Sequence, residues 1–211
     1  MCYYVDQKGS RRDVKIRFNI AVNNTGQYYE GAFVNGFDHP NIPIITNTDP
    51  DQVQTDFTWG LMPSWAVIEQ LEFRTGKLNA RIEDLDSKPS YRNIKSNRCL
   101  IIATGYYEWR WLDPKGKKKE KYQIFSQNDE IFCFAGLYDT WLNPSTGESF
   151  KTYTMVTTEA NELMKYIHNN RERMPVMLRK EDEQAWLDPT NDVSRFAFPK
   201  YDSKIIAFPT N

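Results

Sequence analysis

The sequence predicts an α+β fold: a mixed, barrel-like β-sheet flanked by helices, in a single domain over residues 1–211. Three observations point there. Stretches with strand character outnumber helical ones. Strands and helices do not alternate regularly, which argues against a doubly wound sheet. The chain carries no internal repeat and no long linker. At 211 residues it is long enough to bury a sizeable core. With 40% hydrophobic and 26% charged residues it is composed like a globular protein, not a disordered one.

The elements follow in order. The longest irregular stretch runs from Asn35 to Gln54, with Pro40, Pro43 and Pro50, and its middle, NIPIIT, holds a short strand. TDFTWGLMPSW (55–65) reads as a strand running into a proline-broken turn, and AVIEQLEF (66–73) as a helix. NARIEDLDSKPSYRN (79–93) starts in a loop and continues into broken helical structure. RCLIIATGYYEWRW (98–111) is the clearest strand, apolar and β-branched ahead of Gly105. PKGKKKEK (114–121) is a solvated basic loop. KYQIF (121–125) and EIFCFAGLYDTW (130–141) read as paired strands split by a hairpin-type turn, SQND. KTYTMVTTEANELMKYIH (151–168) is a strand and then a helix capped by Thr158 or a neighbour. KEDEQAWL (180–187) is a short helix with acidic residues in its first turn, and SKIIAFP (203–209) is a closing strand.

Composition narrows the function classes. The net charge of −1 gives no global positive field, so a nucleic-acid role needs a local basic patch. Cys2, Cys99 and Cys133 are too few and too scattered for a disulfide framework. No apolar run approaches the roughly 18 residues of a membrane span, and no signal peptide opens the chain. A cytoplasmic, monomeric protein that keeps off membranes is expected, with its thiols reduced. Two histidines and three cysteines without metal-ligand spacing predict no metal site. No phosphate-binding glycine loop is present, and no cofactor is expected. Cys99 and Cys133 sit in apolar strands and read as core thiols.

Five places carry candidate chemistry. Cys2 follows Met1 directly; if Met1 is removed, Cys2 bears an α-amine beside its thiol. NARIE puts Asn79, Arg81 and Glu83 on alternate positions, either one face of an extended segment or a turn with a surface ion pair. In TGYYEW, Glu108 lies between aromatics. It is either a part-buried proton carrier or an edge carboxylate facing water. His168 is either a general acid or base, or a helix-end cap. Arg81, Arg92, Lys95, Arg98, Arg171 and Arg173 lie near Trp59, Trp65, Trp109 and Trp111. Arginines on phosphate and tryptophans on bases are the equipment of a single-strand groove, although charge runs are often only solvated faces.

Together these stretches resemble the SOS response-associated peptidase (SRAP) family, the abasic-site processing proteins. The resemblance runs from Cys2 to about Leu178 through five motifs in the family's order: Met-Cys, WGLMPSW (59–65), NAR-x-E (79–83), GYYEW (105–109) and a His followed by RMP (173–175). It implies a self-linking DNA repair protein of the DNA damage (SOS) response that traps an abasic site in single-stranded DNA through its N-terminal cysteine. It further implies that Asn79 orients Cys2, Glu108 handles protons and His168 assists. Arg81 and Arg92 would contact phosphate, Trp59, Trp65 and Trp109 would border the DNA groove, and Arg173 would join the DNA-binding set. Two departures stand out: MCYY in place of the commoner Met-Cys-Gly-Arg, and four residues, NNRE, between His168 and Arg173.

Elementary chemistry makes the second-position cysteine intelligible. At physiological pH a lysine is about 0.1% neutral, whereas an α-amine is roughly a quarter neutral and so is the better nucleophile toward a sugar aldehyde. The adjacent thiol then closes a five-membered thiazolidine on the imine, an intramolecular step of effective molarity ~10⁵ M or more. Ring opening of the sugar needs an acid, for which His168 is the candidate, and Glu108 suits the amine and departing water. The imine stage also permits minor lyase chemistry. Two rivals remain: a thiol peptidase with Cys2 as nucleophile, His168 as base and possible autoproteolysis, and a non-covalent single-strand binder.

Overall fold

The computed structural model describes residues 2–23 and 25–210, without the side chains of residues 68–71. The expected removal of Met1 therefore lies outside the described residues. The strands are β1 (Tyr4–Gln7), β2 (Ala21–Val22), β3 (Gly31–Asn35), β4 (Ile44–Thr46), β5 (Asp49–Gln54), β6 (Thr58–Trp59), β7 (Asn79–Arg81), β8 (Arg98–Ala103), β9 (Gly105–Trp111), β10 (Lys119–Ser126), β11 (Phe132–Leu142), β12 (Ser149–Glu159), β13 (Arg173–Pro175), β14 (Met177–Leu178) and β15 (Ile205–Thr210). The helices are α1 (Arg11–Phe18), α2 (Pro89–Arg92), α3 (Glu162–Ile167) and α4 (Glu183–Leu187). None is long and apolar enough to cross a membrane.

The α+β class and the mixed pairing hold, but the barrel does not. The strands form two sheets: five strands in the order β15-β10-β9-β1-β3, and a ten-stranded sheet along β13-β12-β11-β8-β4-β5-β2, with β14 on β11 and β6 and β7 on β12. The strand expected over 98–111 is where the chain changes sheets. It breaks at Thr104, whose N–H donates to the Asp6 carbonyl at 2.8 Å. Gly105 permits the crossing: a Cβ there would stand 3.2 Å from the Phe125 ring and 3.3 Å from the Ile124 carbonyl.

Alternation builds two cores. In β8, Cys99, Ile101 and Ala103 face one way, with Phe134 and Met155 of neighbouring strands. Leu100 and Ile102 face the other way, with Cys133, Ala135 and Val156. The first core is closed by the five-stranded sheet, through Val5, Tyr106, Tyr122 and Ile124. The second is closed by Val14 of α1 and by Trp186 and Leu187 of α4. Each such aliphatic or aromatic side chain contributes about 1.5–3 kcal/mol by leaving water. Cys2 belongs to the first core, between the sheets.

Three local expectations are corrected. β10 and β11 are not a hairpin pair: β10 lies between β9 and β15, and β11 pairs with β8, β12 and β14. The SQND turn forms, with the Ser126 hydroxyl accepting from Asn128 and Asp129 N–H, but the apolar run of β11 is buried almost throughout and needs strands on both sides. The cap of α3 is Asn161, whose Oδ1 accepts from Met164 N–H at 2.9 Å; Thr158 stays in β12. The helix expected at 66–73 is a run of 3₁₀ turns over Ile68–Lys77.

Gly60, in WGLMPSW, has φ 108°, and a Cβ there would meet His39 Nδ1 at 2.6 Å and the Arg74 carbonyl at 3.2 Å. Only glycine fits both constraints. Gly60→Ala is expected to lower the unfolding free energy by about 1–3 kcal/mol in urea denaturation; a variant as stable as the wild type would show the segment to be adaptable.

Candidate active site

Strand β1 lies between β9 and β3, with Tyr4 opposite Tyr107 on one side and Asn35 on the other. This pairing carries Cys2 into the core, where it is fully buried. Asn79 Nδ2 donates to the Cys2 carbonyl at 2.9 Å, and the Cys2 thiol faces the Tyr4 carbonyl at 3.7 Å. Asn79 opens β7, which runs parallel to β12 with Asn79 opposite Met155. Its Oδ1 is buried and accepts no hydrogen bond among the described residues. Its carbonyl accepts from the Tyr91 hydroxyl of α2 at 3.3 Å.

Glu108 is buried in β9. Burial pushes its carboxyl up to about 7. Burial, with the Glu108 carboxylate adding to it, also holds the Cys2 thiol well above its ordinary value. His168 follows α3, and its Nε2 stands 3.7 Å from Glu108 Oε2. Its Nδ1 lies 2.8 Å from the Arg173 carbonyl. The Arg173 N–H also approaches Nδ1, at 3.4 Å, but the carbonyl is far closer and can only accept. The ring proton therefore sits on Nδ1, and the Nε2 lone pair points toward Glu108. Burial lowers the imidazole to about 4, so it is neutral at pH 7.

The long NNRE spacing is absorbed locally. The N–H groups of Arg171 and Glu172 turn back onto the His168 carbonyl at 3.2 and 2.8 Å, and Glu172 takes a left-handed φ of 52°. The imidazole thus still meets Arg173.

The structure gathers Cys2, Asn79, Glu108 and His168 but scatters the expected DNA-binding set. Trp59 is fully buried, with its indole N–H donating to the Leu78 carbonyl at 2.8 Å. It cannot stack on a base. Arg173 is also buried; its Nη1 and Nη2 donate to Glu83 at 3.0 and 2.8 Å, and Nη2 donates to the Thr157 carbonyl at 2.9 Å. Its fork is committed to protein, not phosphate. Arg98, of the basic cluster, is likewise sunk among the carbonyls of Trp186, Asp188 and Asn191. Arg81 and Arg92 are exposed, with Arg81 only loosely held, 3.8 Å from Glu83 and Asp84. Trp65 is exposed in a separate hollow beside Met62 and Phe73.

Trp109, Glu108 and His168 line an open pocket of about 230 Å³. Its rim includes Arg171 and Trp111, noted in the sequence only as part of a basic and aromatic cluster, and Tyr3 and Lys119, which the motif analysis did not assign to the site. Lys119 was expected in a solvated loop; it opens β10 instead, with Nζ 5.4 Å from the Trp111 ring. The available signal was position: Arg171 lies three residues after His168, and Tyr3 follows Cys2. Among the described residues, no three His, Cys, Asp or Glu side chains gather as a metal site.

A two-sheet α+β fold that seals a near-terminal cysteine beside Asn, Glu and His defines a class of protein with a buried thiol site. The chain belongs to the SOS response associated peptidase (SRAP) family, which it matches over residues 1–207. The abasic site processing protein YoqW of Bacillus subtilis (strain 168) is 43% identical over 152 residues, 72% of this chain and 64% of the relative. The abasic site processing protein HMCES of Gallus gallus is 33% identical over 177 residues, 71% of this chain and 50% of the relative. The matched region thus spans less than two thirds of either relative. A crystal structure of a protein from Bacteroides thetaiotaomicron superposes with a TM-score of 0.87 at 34% identity, covering 100% of this chain and 92% of that one.

A carboxyl whose folded value lies above its unfolded value contributes stability at low pH and loses it as pH rises to about 7. Glu108→Gln escapes that loss. Urea denaturation at pH 5 and pH 8 should show the stability gap moving in the variant's favour by about 2–3 kcal/mol; a gap independent of pH would contradict the buried carboxyl.

Proposed function

We propose that this protein captures abasic sites in single-stranded DNA as a covalent crosslink through Cys2 once Met1 has been removed, its 211 residues acting as one monomeric SRAP domain in the DNA damage response. The observation that carries the proposal is a buried cysteine held by an amide beside a carboxyl poised near neutrality. The names of the curated relatives support the substrate.

The freed α-amine of Cys2 adds to the C1′ aldehyde, and loss of water gives an imine. The thiol then adds across the C=N bond; sulfur bonds to carbon, and its proton passes to nitrogen, giving the thiazolidine. A thiol held above its ordinary value stays protonated at pH 7, so the amine attacks first. Asn79 Oδ1, buried and without a donor among the described residues, suits the amine N–H. Glu108, near 7, gives a proton to the departing hydroxyl and recovers one from the nitrogen as the imine forms. The acid role expected of His168 passes to Glu108, because an imidazole near 4 is neutral at pH 7 and its one ring proton is committed to the Arg173 carbonyl through Nδ1. Its Nε2 lone pair instead makes it the relay partner of Glu108. Elimination at the 3′ phosphate from the imine is a minor lyase route.

The thiol-peptidase alternative needs a thiolate beside an imidazolium. Burial disfavours both charged forms here. Of the expected DNA contacts, Arg81, Arg92, Trp65 and Trp109 remain in the proposal.

Incubation with an abasic oligonucleotide followed by a denaturing gel tests the capture. Cys2→Ser should abolish the permanent adduct while leaving non-covalent affinity within about twofold; equal loss of both would remove Cys2 from the chemistry. Arg81→Ala should weaken binding across sequences and reduce the salt slope by about 0.7–0.9. An unchanged slope would take Arg81 off the phosphate.

A further inference from the structure

The outer face of the five-stranded sheet carries a group of aromatic rings that the core does not use. Phe33 is the anomaly. It is 43% exposed, and its φ of 54° is a left-handed conformation rare for a bulky residue. The β1–β3 register slips between Val5 and Gln7, leaving Ala32 and Phe33 opposite Asp6 alone. That is a bulge, a device that re-aims a side chain. Asp6 is fully buried and holds the bulge: Oδ1 accepts from the Phe33 N–H at 2.8 Å and from the Tyr107 hydroxyl at 3.1 Å. Backbone strain of this kind persists only where the surroundings over-determine it, and it clusters at functional places.

The bulge turns the Phe33 ring outward onto its aromatic neighbours. The Phe33 ring stacks on Tyr4, with centroids 4.8 Å apart and planes 21° apart. Trp109 meets Tyr4 edge-on at 5.0 Å. Lys121 Nζ stands 5.4 Å from the Phe33 ring. Trp109 also lines the pocket over Glu108 and His168, so the rings run without a break into the candidate site. An exposed Phe33 ring stacked on a half-buried Tyr4, with an ammonium beside it, matches nucleobases and the phosphates that join them, not an aliphatic partner.

The geometry points to a base-stacking platform built on Tyr4 and Phe33, with Lys121 for phosphate, that receives the unpaired nucleotides flanking the captured abasic site. It rests on the capture proposed above and assigns a purpose to the MCYY opening, in which Tyr4 supplies the floor.

The test uses Phe33→Ala and Lys121→Gln in the full chain, with two readouts. The first is fluorescence anisotropy on an undamaged oligo-dT decamer, which requires no crosslinking. Phe33→Ala should weaken binding about 5- to 100-fold, and Lys121→Gln should reduce the salt slope by about 0.7. The second compares capture of an abasic trinucleotide with capture of abasic 11-mers extended on the 5′ or the 3′ side. The loss in Phe33→Ala should grow with strand length and fall on one side. Unchanged decamer binding, or a loss equal for trinucleotide and 11-mers, overturns the platform. If wild type captures neither substrate, the capture function fails, and the decamer still decides the platform. Should Phe33→Ala not fold, Phe33→Leu, apolar but without a π-face, gives the same readout.

Discussion

The arrangement depends on the pairing of β1 on both of its sides. With β9 and β3 as neighbours, the first strand is hydrogen-bonded along both edges, and the residues just before it are delivered into the space between the sheets. The pairing is extended beyond the strand by Gly36, whose N–H donates to the Tyr3 carbonyl at 2.8 Å. Gly36 can come so close because it lacks a Cβ, which would stand 2.8 Å from the Trp59 ring. Trp59 in turn grips the Leu78 carbonyl, one residue before Asn79. A single indole thus braces the two segments that hold Cys2, which explains why Trp59, expected at a DNA groove, sits wholly inside the protein.

Burial then sets the electrostatics. A low-dielectric site penalises whichever form is charged, so the same surroundings push a carboxyl up and an imidazole down. Glu108 and His168, facing each other at 3.7 Å, are driven in opposite directions. Near pH 7 the imidazole is uncharged and the carboxyl is balanced between its two forms. Paired titratable groups with displaced values are a recurring source of acid and base in one site. The thiol shares that environment, and its own charge is suppressed with the rest.

Much of this was legible in the chain, for identifiable reasons. Asn79, Glu108 and His168 lie in compact motifs, and each motif falls at the edge of an apolar segment that builds the core. The α+β class and most strands follow from β-branched, alternating stretches such as 98–103. What sequence could not supply was the partner of each strand. The turn at 126–129 was right, yet pairing was decided by the two-sided burial of β11, a property of the whole sheet. Trp59 and Arg173 carried residue types suited to DNA, and only three-dimensional placement showed them serving the interior. Helix α1 was passed over although Ser10 and Asp13 form a capping box, because Val14 is its only buried residue and no apolar stripe marks it.

The sealed position of Cys2 has a consequence for oxidative stress. Peroxide and alkylating electrophiles react with exposed thiolates. A sulfur with no solvent contact that is kept protonated offers them neither access nor charge. The fold thereby keeps the Cys2 sulfur out of reach of reagents that attack thiols at the surface.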